Sequence, residues 1–205
     1  MDASDQDLWT QWTAGDRDAG DALVRRYFVR IHRFLASKVG DAAEELTQRT
    51  FEGALASRDR YRGDAPFRGY LFGIARKQVL RHYEGRGRDL GGIDPAELSV
   101  HDLGPSPSKL IGGKEREALI LEALQRIPLG LQIVLELHYW ERMKVLEIAA
   151  ALEIPRGTVM SRLHRGRAAI KKQLQEIAPK APEIDLEQDT QAVRDAILGP
   201  GEGVG

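Results

Sequence analysis

"EIPRGTVMSRLHRGR", residues 153–167, carries two rows of side chains at helical spacing. For a helix opening near Pro155, Val159, Leu163, Gly166 and Ile170 fall at i, i+4, i+7 and i+11 and form one buried stripe. Thr158, Ser161, Arg162 and Arg165, at i, i+3, i+4 and i+7, share a second face, which Lys172 continues. That face offers hydroxyls and guanidinium groups. A solvated helix face accounts for most charge rows, so the row alone leaves solvation and polyanion binding as equal readings.

The flanks decide. Upstream, "VLEIAAALE" places Val145, Ile148, Ala149 and Leu152 on one face of a short helix ending about three residues before the second helix begins, the spacing of a helix-turn-helix. Ala149 is small enough to let the two helices approach, and Val159, ten positions later, closes the corner. The turn of this motif usually takes Gly for a left-handed backbone. Glu153 stands there, so either the turn is strained by about 1 kcal/mol or its geometry differs.

A chain of 205 residues with 42% hydrophobic content can build one large or two small cores. With no Cys it has neither disulfides nor thiolate metal sites. The start, "MDASDQDLWT", is acidic and unlike a signal peptide, and no apolar run approaches the roughly 20 residues of a membrane span. These features predict a cytoplasmic protein without membrane insertion. The net charge of −1 is unevenly spread. Residues 1–22 hold six Asp against one Arg and residues 178–205 hold six acids against two bases, which leaves the centre at +8. A basic body between acidic ends suits a polyanion partner.

Helical periodicity dominates, and no alternation lasts long enough to argue for a sheet, so the chain reads as all-α with two small helical domains. The first, residues 1–85, has a short helix around 8–13, a long one with Leu23, Tyr27, Ile31, Phe34 and Leu35 on one face, a third over about 41–57, and a fourth opening at "DAPF". There Asp64 is a candidate cap and Pro66 fits the first turn. Residues 86–113, rich in Gly and Pro, read as a flexible linker. The second domain spans 114–177. An acidic C-terminal extension, 178–205, follows, with one short helix expected over 186–198.

Residues 58–88 carry nine bases against three acids, with Tyr61, Phe67, Tyr70, Phe72 and Tyr83 interleaved. Cations that follow a phosphate backbone, mixed with aromatics that stack on bases, suit single-stranded nucleic acid. Leu71, Ile74 and Val79 define the buried stripe of the fourth helix, with Phe67 at its edge favouring the core; Tyr61, in an Arg-rich loop, is expected to be exposed.

A duplex reader and a single-strand binder on linked domains resemble the extracytoplasmic-function (ECF) sigma factors of bacterial RNA polymerase. The resemblance covers residues 14–177. The stretch from "GDRDAGDALVRRYF" through "APFRGYLFGIARKQVLRHY" is similar to the family's promoter-melting domain two, and "LEALQRIPLGLQIVLELHYWERMKVLEIAAALEIPRGTVMSRLHRGRAAI" to its domain four. Core polymerase and promoter DNA are the partners this implies. "ELTQRTF" corresponds to the segment that packs on the polymerase clamp helices, which makes Glu45, Leu46, Gln48 and Arg49 expected core contacts. The family usually has Asp at position 45 and an acid at position 49.

The resemblance further implies that Arg60, Tyr61, Arg62, Phe67, Arg68, Tyr70, Arg76, Lys77 and Arg81 serve the minus-ten element, capturing an unstacked base of the displaced strand. Arg156, Thr158, Ser161, Arg162, Arg165 and Arg167 would then serve the major groove of the minus-thirty-five element. Gly166 replaces the family's usual Ala, at about 1 kcal/mol in helix propensity. A stand-alone helix-turn-helix regulator is the alternative, but it needs neither residues 58–88 nor "ELTQRTF"; a helical interaction module would leave both basic patches unexplained.

No catalytic site, metal or cofactor is expected. "GRGRDLGG" fails the dinucleotide-binding pattern because Leu90 occupies the third glycine position and a helix precedes it. His32, His82, His101, His138 and His164 lack metal-ligand spacing. Regulation by an anti-sigma factor, or by the C-terminal extension itself, completes the expectations. Leu186, Val193 and Ile197 give that extension only a ragged apolar stripe among acids, so a disordered tail and a helix docking on the basic surfaces are equally good readings.

Overall fold

The computed structural model describes residues 3–57, 61, 66–84, 95–100 and 115–179, with only the backbone described at 95 and 115–117. Arg60, Arg62, the Asp64 cap and the helix expected over 186–198 lie outside these residues. Among the described residues the regular elements are all helices, joined by turns and loops, with one isolated bridge between Ser99 and Pro128.

The first domain packs four helices: α1 (Asp5–Thr13), α2 (Arg17–Val39), α3 (Ala43–Ala56) and α4 (Phe67–Glu84). Asp16 starts α2, its Oδ1 accepting the N–H groups of Asp18 and Ala19 at 2.9 and 3.3 Å. Gly40, at φ +58°, ends it and lets a 3-10 turn, Gly40–Ala42, lead directly into α3. The expected stripe of α2 is buried from Leu23 to Leu35, and α4 packs Phe67, Leu71, Phe72, Ala75 and Val79 against it. Leu23, Ile31 and Leu71 are wholly enclosed, so truncating any of them to Ala costs about 2–5 kcal/mol.

The second domain is built around α6 (Leu129–Tyr139), in which every residue from Leu129 to Leu137 is buried. Such a helix needs neighbours on all sides. They are α5 (Glu115–Gln125), α7 (Val145–Leu152) and α8 (Arg156–Ile177), together with part of the expected linker. Residues 95–100 differ from the flexible linker read from composition. A 3-10 turn at Pro95–Glu97 buries Ala96, Val100 is 1% exposed, and the Leu98 carbonyl accepts the N–H of Leu129 at 2.8 Å. The backbone thus satisfies a free donor at the start of α6.

The two domains touch through α4 and α7. A Cβ placed on Gly73 of α4 would come within 2.4 Å of the Ala151 carbonyl oxygen on α7, so the helices approach at backbone distance.

Candidate nucleic-acid interface

The helix-turn-helix forms as the spacing predicts. Val159, Leu163, Gly166 and Ile170 are all buried on α8, and α7 buries Ile148, Ala151 and Leu152. Gly166 has a steric reason: a Cβ there would lie 2.8 Å from Leu135 Cδ1, so its absence lets α8 sit close on α6. Glu153 adopts φ +55° and ψ +41°, the left-handed conformation that the motif asks of Gly. The strained alternative therefore holds, at about 1 kcal/mol relative to Gly. Among the described residues one other non-glycine has positive φ, Arg142, and these two residues flank α7.

The outer face of α8 divides into free and held cations. Arg156 and Arg165 are exposed, with no carboxylate within ion-pairing distance among the described residues, and Ser161 is exposed between them. Thr158 is half-buried. Arg162 differs from the expected outward direction: its guanidinium carbon lies 3.5 Å from where a Gly130 Cβ would be, and Nη1 is buried without a hydrogen-bond partner. Arg167 is exposed but anchored, its Nε donating to the Tyr139 hydroxyl at 2.7 Å while the guanidinium lies 5.9 Å from the Tyr139 ring centroid.

The aromatics expected to stack on single-stranded bases are packed among themselves. Phe67 is 2% exposed, between Trp9 and Tyr27, and so belongs to the core. Tyr61, expected to be exposed, is half-buried: its ring lies 4.8 Å from that of Tyr70 and 5.6 Å from that of Trp9, and its hydroxyl reaches Gln6 at 3.3 Å. Burial, then the charge of Asp5, push the Tyr61 phenol up to about 12. The Tyr70 hydroxyl is held at the end of α3 by Ser57 Oγ, at 2.6 Å. Composition had marked these rings without showing that α1 covers them.

The cations of α4 point two ways. Arg81 faces α3 and lines an open groove with Glu45, Leu46, Arg49, Glu52, Gly53, Ala56, Gln78 and His82. Of the expected polymerase contacts, Glu45 and Arg49 pair with each other at 2.6 Å and remain more than half exposed. Gln48 is exposed and donates to Glu52, whereas Leu46 is 3% exposed and forms only the groove floor. Arg76 is half-buried. Arg68 and Lys77 face the second domain: Arg68 Nη2 meets Glu147 Oε2 at 3.0 Å and Nη1 donates to the Glu141 carbonyl at 3.3 Å, while Lys77 Nζ meets Glu153 Oε1 at 2.6 Å.

Two more ion pairs cross the same seam from α2. Arg30 pairs with Glu141, and the fully buried Lys38 meets Glu136 Oε2 at 2.6 Å. Lys38 also donates to the Phe34 carbonyl at 2.9 Å, and Gln132 donates to the other Glu136 oxygen at 2.8 Å. Burial lowers the Lys38 pKa, against the opposing pull of Glu136. Sequence reasoning missed this network, although one signal was present. Lys38 continues the buried stripe of α2 at i+7 from Ile31 and i+4 from Phe34, and Gln132 and Glu136 interrupt an otherwise apolar run.

Among the described residues no group of three or more His, Asp and Glu side chains could hold a metal ion, and no helix is long and apolar enough to cross a membrane.

Comparison with known proteins follows the same two-part division. Residues 23–89 match the Sigma-70 region 2 family and residues 117–170 match Sigma-70 region 4. The RNA polymerase sigma-H factor of Pseudomonas aeruginosa is 31% identical over 188 residues, covering 86% of this chain and 97% of that protein. The ECF RNA polymerase sigma-E factor of Escherichia coli is 28% identical over 182 residues, covering 84% and 95%. Two solved structures share the fold. The sigma factor RpoE in complex with the anti-sigma factor NepR from Bartonella quintana aligns with a TM-score of 0.59 at 21% identity, over 76% of this chain and 95% of that one. CnrH in complex with the cytosolic domain of CnrY aligns with a TM-score of 0.59 at 22% identity, over 85% and 99%.

Proposed function

The chain belongs to the ECF sigma factors and directs RNA polymerase to promoters, and we propose that it does so through three separate surfaces. Arg156, Ser161 and Arg165 on the open face of α8 read the minus-thirty-five duplex, and Thr158, Arg162 and Arg167 join them by side-chain rotation. Arg68, Arg76 and Lys77 on α4 hold the backbone of the displaced minus-ten strand. Tyr61 and Tyr70 offer ring edges to an extruded base once α1 yields, and Phe67 supports them from the core.

The α3–α4 groove, with Glu45, Gln48, Arg49 and Arg81 at its rim, receives core polymerase. Arg49 stands where the family usually has an acid, and its pairing with Glu45 leaves the rim mixed in charge rather than uniformly acidic. The protein acts as a DNA-binding initiation factor and not as an enzyme, and cytoplasmic RNA polymerase sets its place of work. Its regulator is either an anti-sigma factor, as in the two complexes that share its fold, or its own acidic extension.

One observation carries this reading: a single chain presents a free cationic face on the second helix of a helix-turn-helix and a separate basic-aromatic helix beside an open groove. A stand-alone regulator needs only the first. In vitro transcription with core polymerase on a promoter library tests it: sequence-specific transcripts that appear only with this protein are expected, and tight specific binding to duplex with no transcripts would favour the stand-alone regulator.

A further inference from the structure

Met160 is 52% exposed on α8, among the cations and hydroxyls of its outer face. A lone exposed apolar side chain is ordinary on a protein surface, so its position has to carry the argument. Met160 lies in the second turn of the second helix of a helix-turn-helix, and the N-terminal part of that helix is what meets base edges when the motif docks in a major groove. Thr158 and Arg162, which the sequence places in the outward row, are half-buried. The open face is therefore turned from that row toward Gly157, Met160, Ser161 and His164, at i, i+3, i+4 and i+7. Met160 belongs to the open face, although the row of hydroxyls and guanidinium groups does not include it.

Gly157, three residues earlier, is a second and independent observation. It is exposed, and a Cβ built on it would meet no atom within 4 Å. Gly20, Gly73 and Gly166 each keep room for another part of the chain, whereas Gly157 keeps room for none among the described residues. Its backbone is ordinary helix without the positive φ of Gly15 and Gly40. Glycine weakens a helix relative to alanine, so the free chain has neither a packing nor a conformational use for it. The room it leaves lies outside the protein, where a bound duplex would approach the backbone of α8 most closely.

We propose that Met160, reaching past the gap at Gly157, packs on the 5-methyl group of a thymine in the minus-thirty-five element and selects thymine at that position. This specificity contact deepens the reading of α8 as the minus-thirty-five helix, and rests on it. The chemistry restricts the choice of base. A thioether donates no hydrogen bond and is only a weak acceptor, so it gains little from the polar groups that the base edges present. The thymine methyl is the apolar group of the major groove. Methionine is also unbranched and flexible, and so can follow a methyl group as the helix settles. Ser161 and Arg165, exposed beside it, supply the hydrogen bonds that methionine cannot.

The test uses the full chain in holoenzyme. A promoter that the parent selects from a library is remade with each thymine of the upstream element, on either strand, replaced singly by deoxyuridine, which lacks only the methyl group. At one position or a neighbouring pair, competition binding is expected to weaken by about fourfold, the factor that burial of one methyl-sized group is worth. In Met160→Ala the same replacement should have no effect, because the methyl has lost its partner, while Met160→Leu should keep the parent's response. Gly157→Ala should leave the thermal midpoint of the free chain unchanged or raised and yet weaken promoter binding, a split that a merely structural glycine would not give. The inference is overturned by a parent indifferent to every thymine methyl, by an equal effect in Met160→Ala, or by a selected element without thymine. Arg165→Ala then separates this failure from that of the underlying reading. Weaker upstream-element binding in Arg165→Ala leaves α8 in the groove and removes only the methyl contact, whereas unchanged binding with no dependence on upstream sequence removes α8 from the duplex altogether.

Discussion

Two helices carry the cations that a promoter would meet, and the fold treats them oppositely. On α8, Arg156 and Arg165 are exposed, with no carboxylate within ion-pairing distance among the described residues. On α4, Arg68 and Lys77 are each occupied by a glutamate of the other domain. On the proposed reading, the cations offered to the minus-thirty-five duplex are open, whereas two of those offered to the minus-ten strand are engaged by the second domain. The difference also lies in how each helix is held. α8 is seated inside its own domain by a continuous apolar stripe, whereas α4, besides packing Phe67, Leu71, Phe72, Ala75 and Val79 into its own domain, meets α7 of the other at backbone distance through Gly73.

The largest test of this contrast compares the free protein with the holoenzyme on one promoter duplex. With few free phosphate contacts on α8 alone, the free protein should bind at least about a hundredfold more weakly, and with a shallower salt dependence than the holoenzyme. Filter binding or anisotropy at two salt concentrations reads this. Equal affinities would mean that the second cationic face is not withheld.

Next in size is the split within α8. Arg165→Ala should lower affinity for the upstream element by about 1–3 kcal/mol if the guanidinium makes a bidentate base contact. Arg162→Ala should cost less in binding, because its guanidinium must first leave Gly130, and releasing the buried Nη1 offsets part of the loss. Footprinting with upstream-element variants distinguishes them. A larger loss for Arg162 would show that the side chain swings out fully on DNA.

The Tyr61 cluster separates packing from stacking. Tyr61→Ala removes a ring in edge or tilted contact with Trp9, Phe67 and Tyr70, and is expected to destabilise the first domain by about 1–3 kcal/mol as well as to impair strand opening. Tyr61→Phe keeps the ring and its contacts with Trp9, Phe67 and Tyr70 while losing the hydroxyl and its long hydrogen bond to Gln6, so its thermal midpoint should fall less than that of Tyr61→Ala. Permanganate reactivity of the open complex then reports stacking: normal for Tyr61→Phe and reduced for Tyr61→Ala. Equal reactivity for all three proteins would confine Tyr61 to the core.

The sequence made one side of the comparison legible and hid the other. The stripe of Val159, Leu163, Gly166 and Ile170 and the row of Ser161 and Arg165 follow from helical period alone, because both lie on one element. The same holds for the α2 stripe. The ion pairs of the seam join residues between 76 and 111 positions apart, and no local period encodes such a partner. Tyr61 was read as exposed from its Arg-rich neighbours, yet α1, more than 45 residues upstream, brings Trp9 over it. Glu153 was legible as an anomaly and not as a solution. Its strain appears in the motif, and its partner, Lys77, appears only in the fold.

The smallest effect sharpens the contrast most, because it sets two glycines in comparable steric positions. Gly166→Ala and Gly73→Ala each put a methyl group into space already taken, 2.8 Å from Leu135 Cδ1 in the first case and 2.4 Å from the Ala151 carbonyl oxygen in the second. Each also relieves its helix of a glycine, worth about 1 kcal/mol. At Gly166 the obstacle is the end of a flexible side chain inside one domain, with the stripe of α8 on either side holding the helices together. The propensity gain and an overpacking cost of about 1–3 kcal/mol nearly cancel. Gly166→Ala should therefore shift the thermal midpoint by only a few degrees and leave energy transfer between dyes placed on the two domains unchanged. At Gly73 the obstacle is backbone, which cannot rotate away, and the domains are free to separate instead, so the response should be opening rather than loss of stability. If Gly166→Ala opened the seam or Gly73→Ala lowered the midpoint of the first domain, the two contacts would be of one kind, and the distinction between a seated reading helix and a releasable strand-binding helix would collapse.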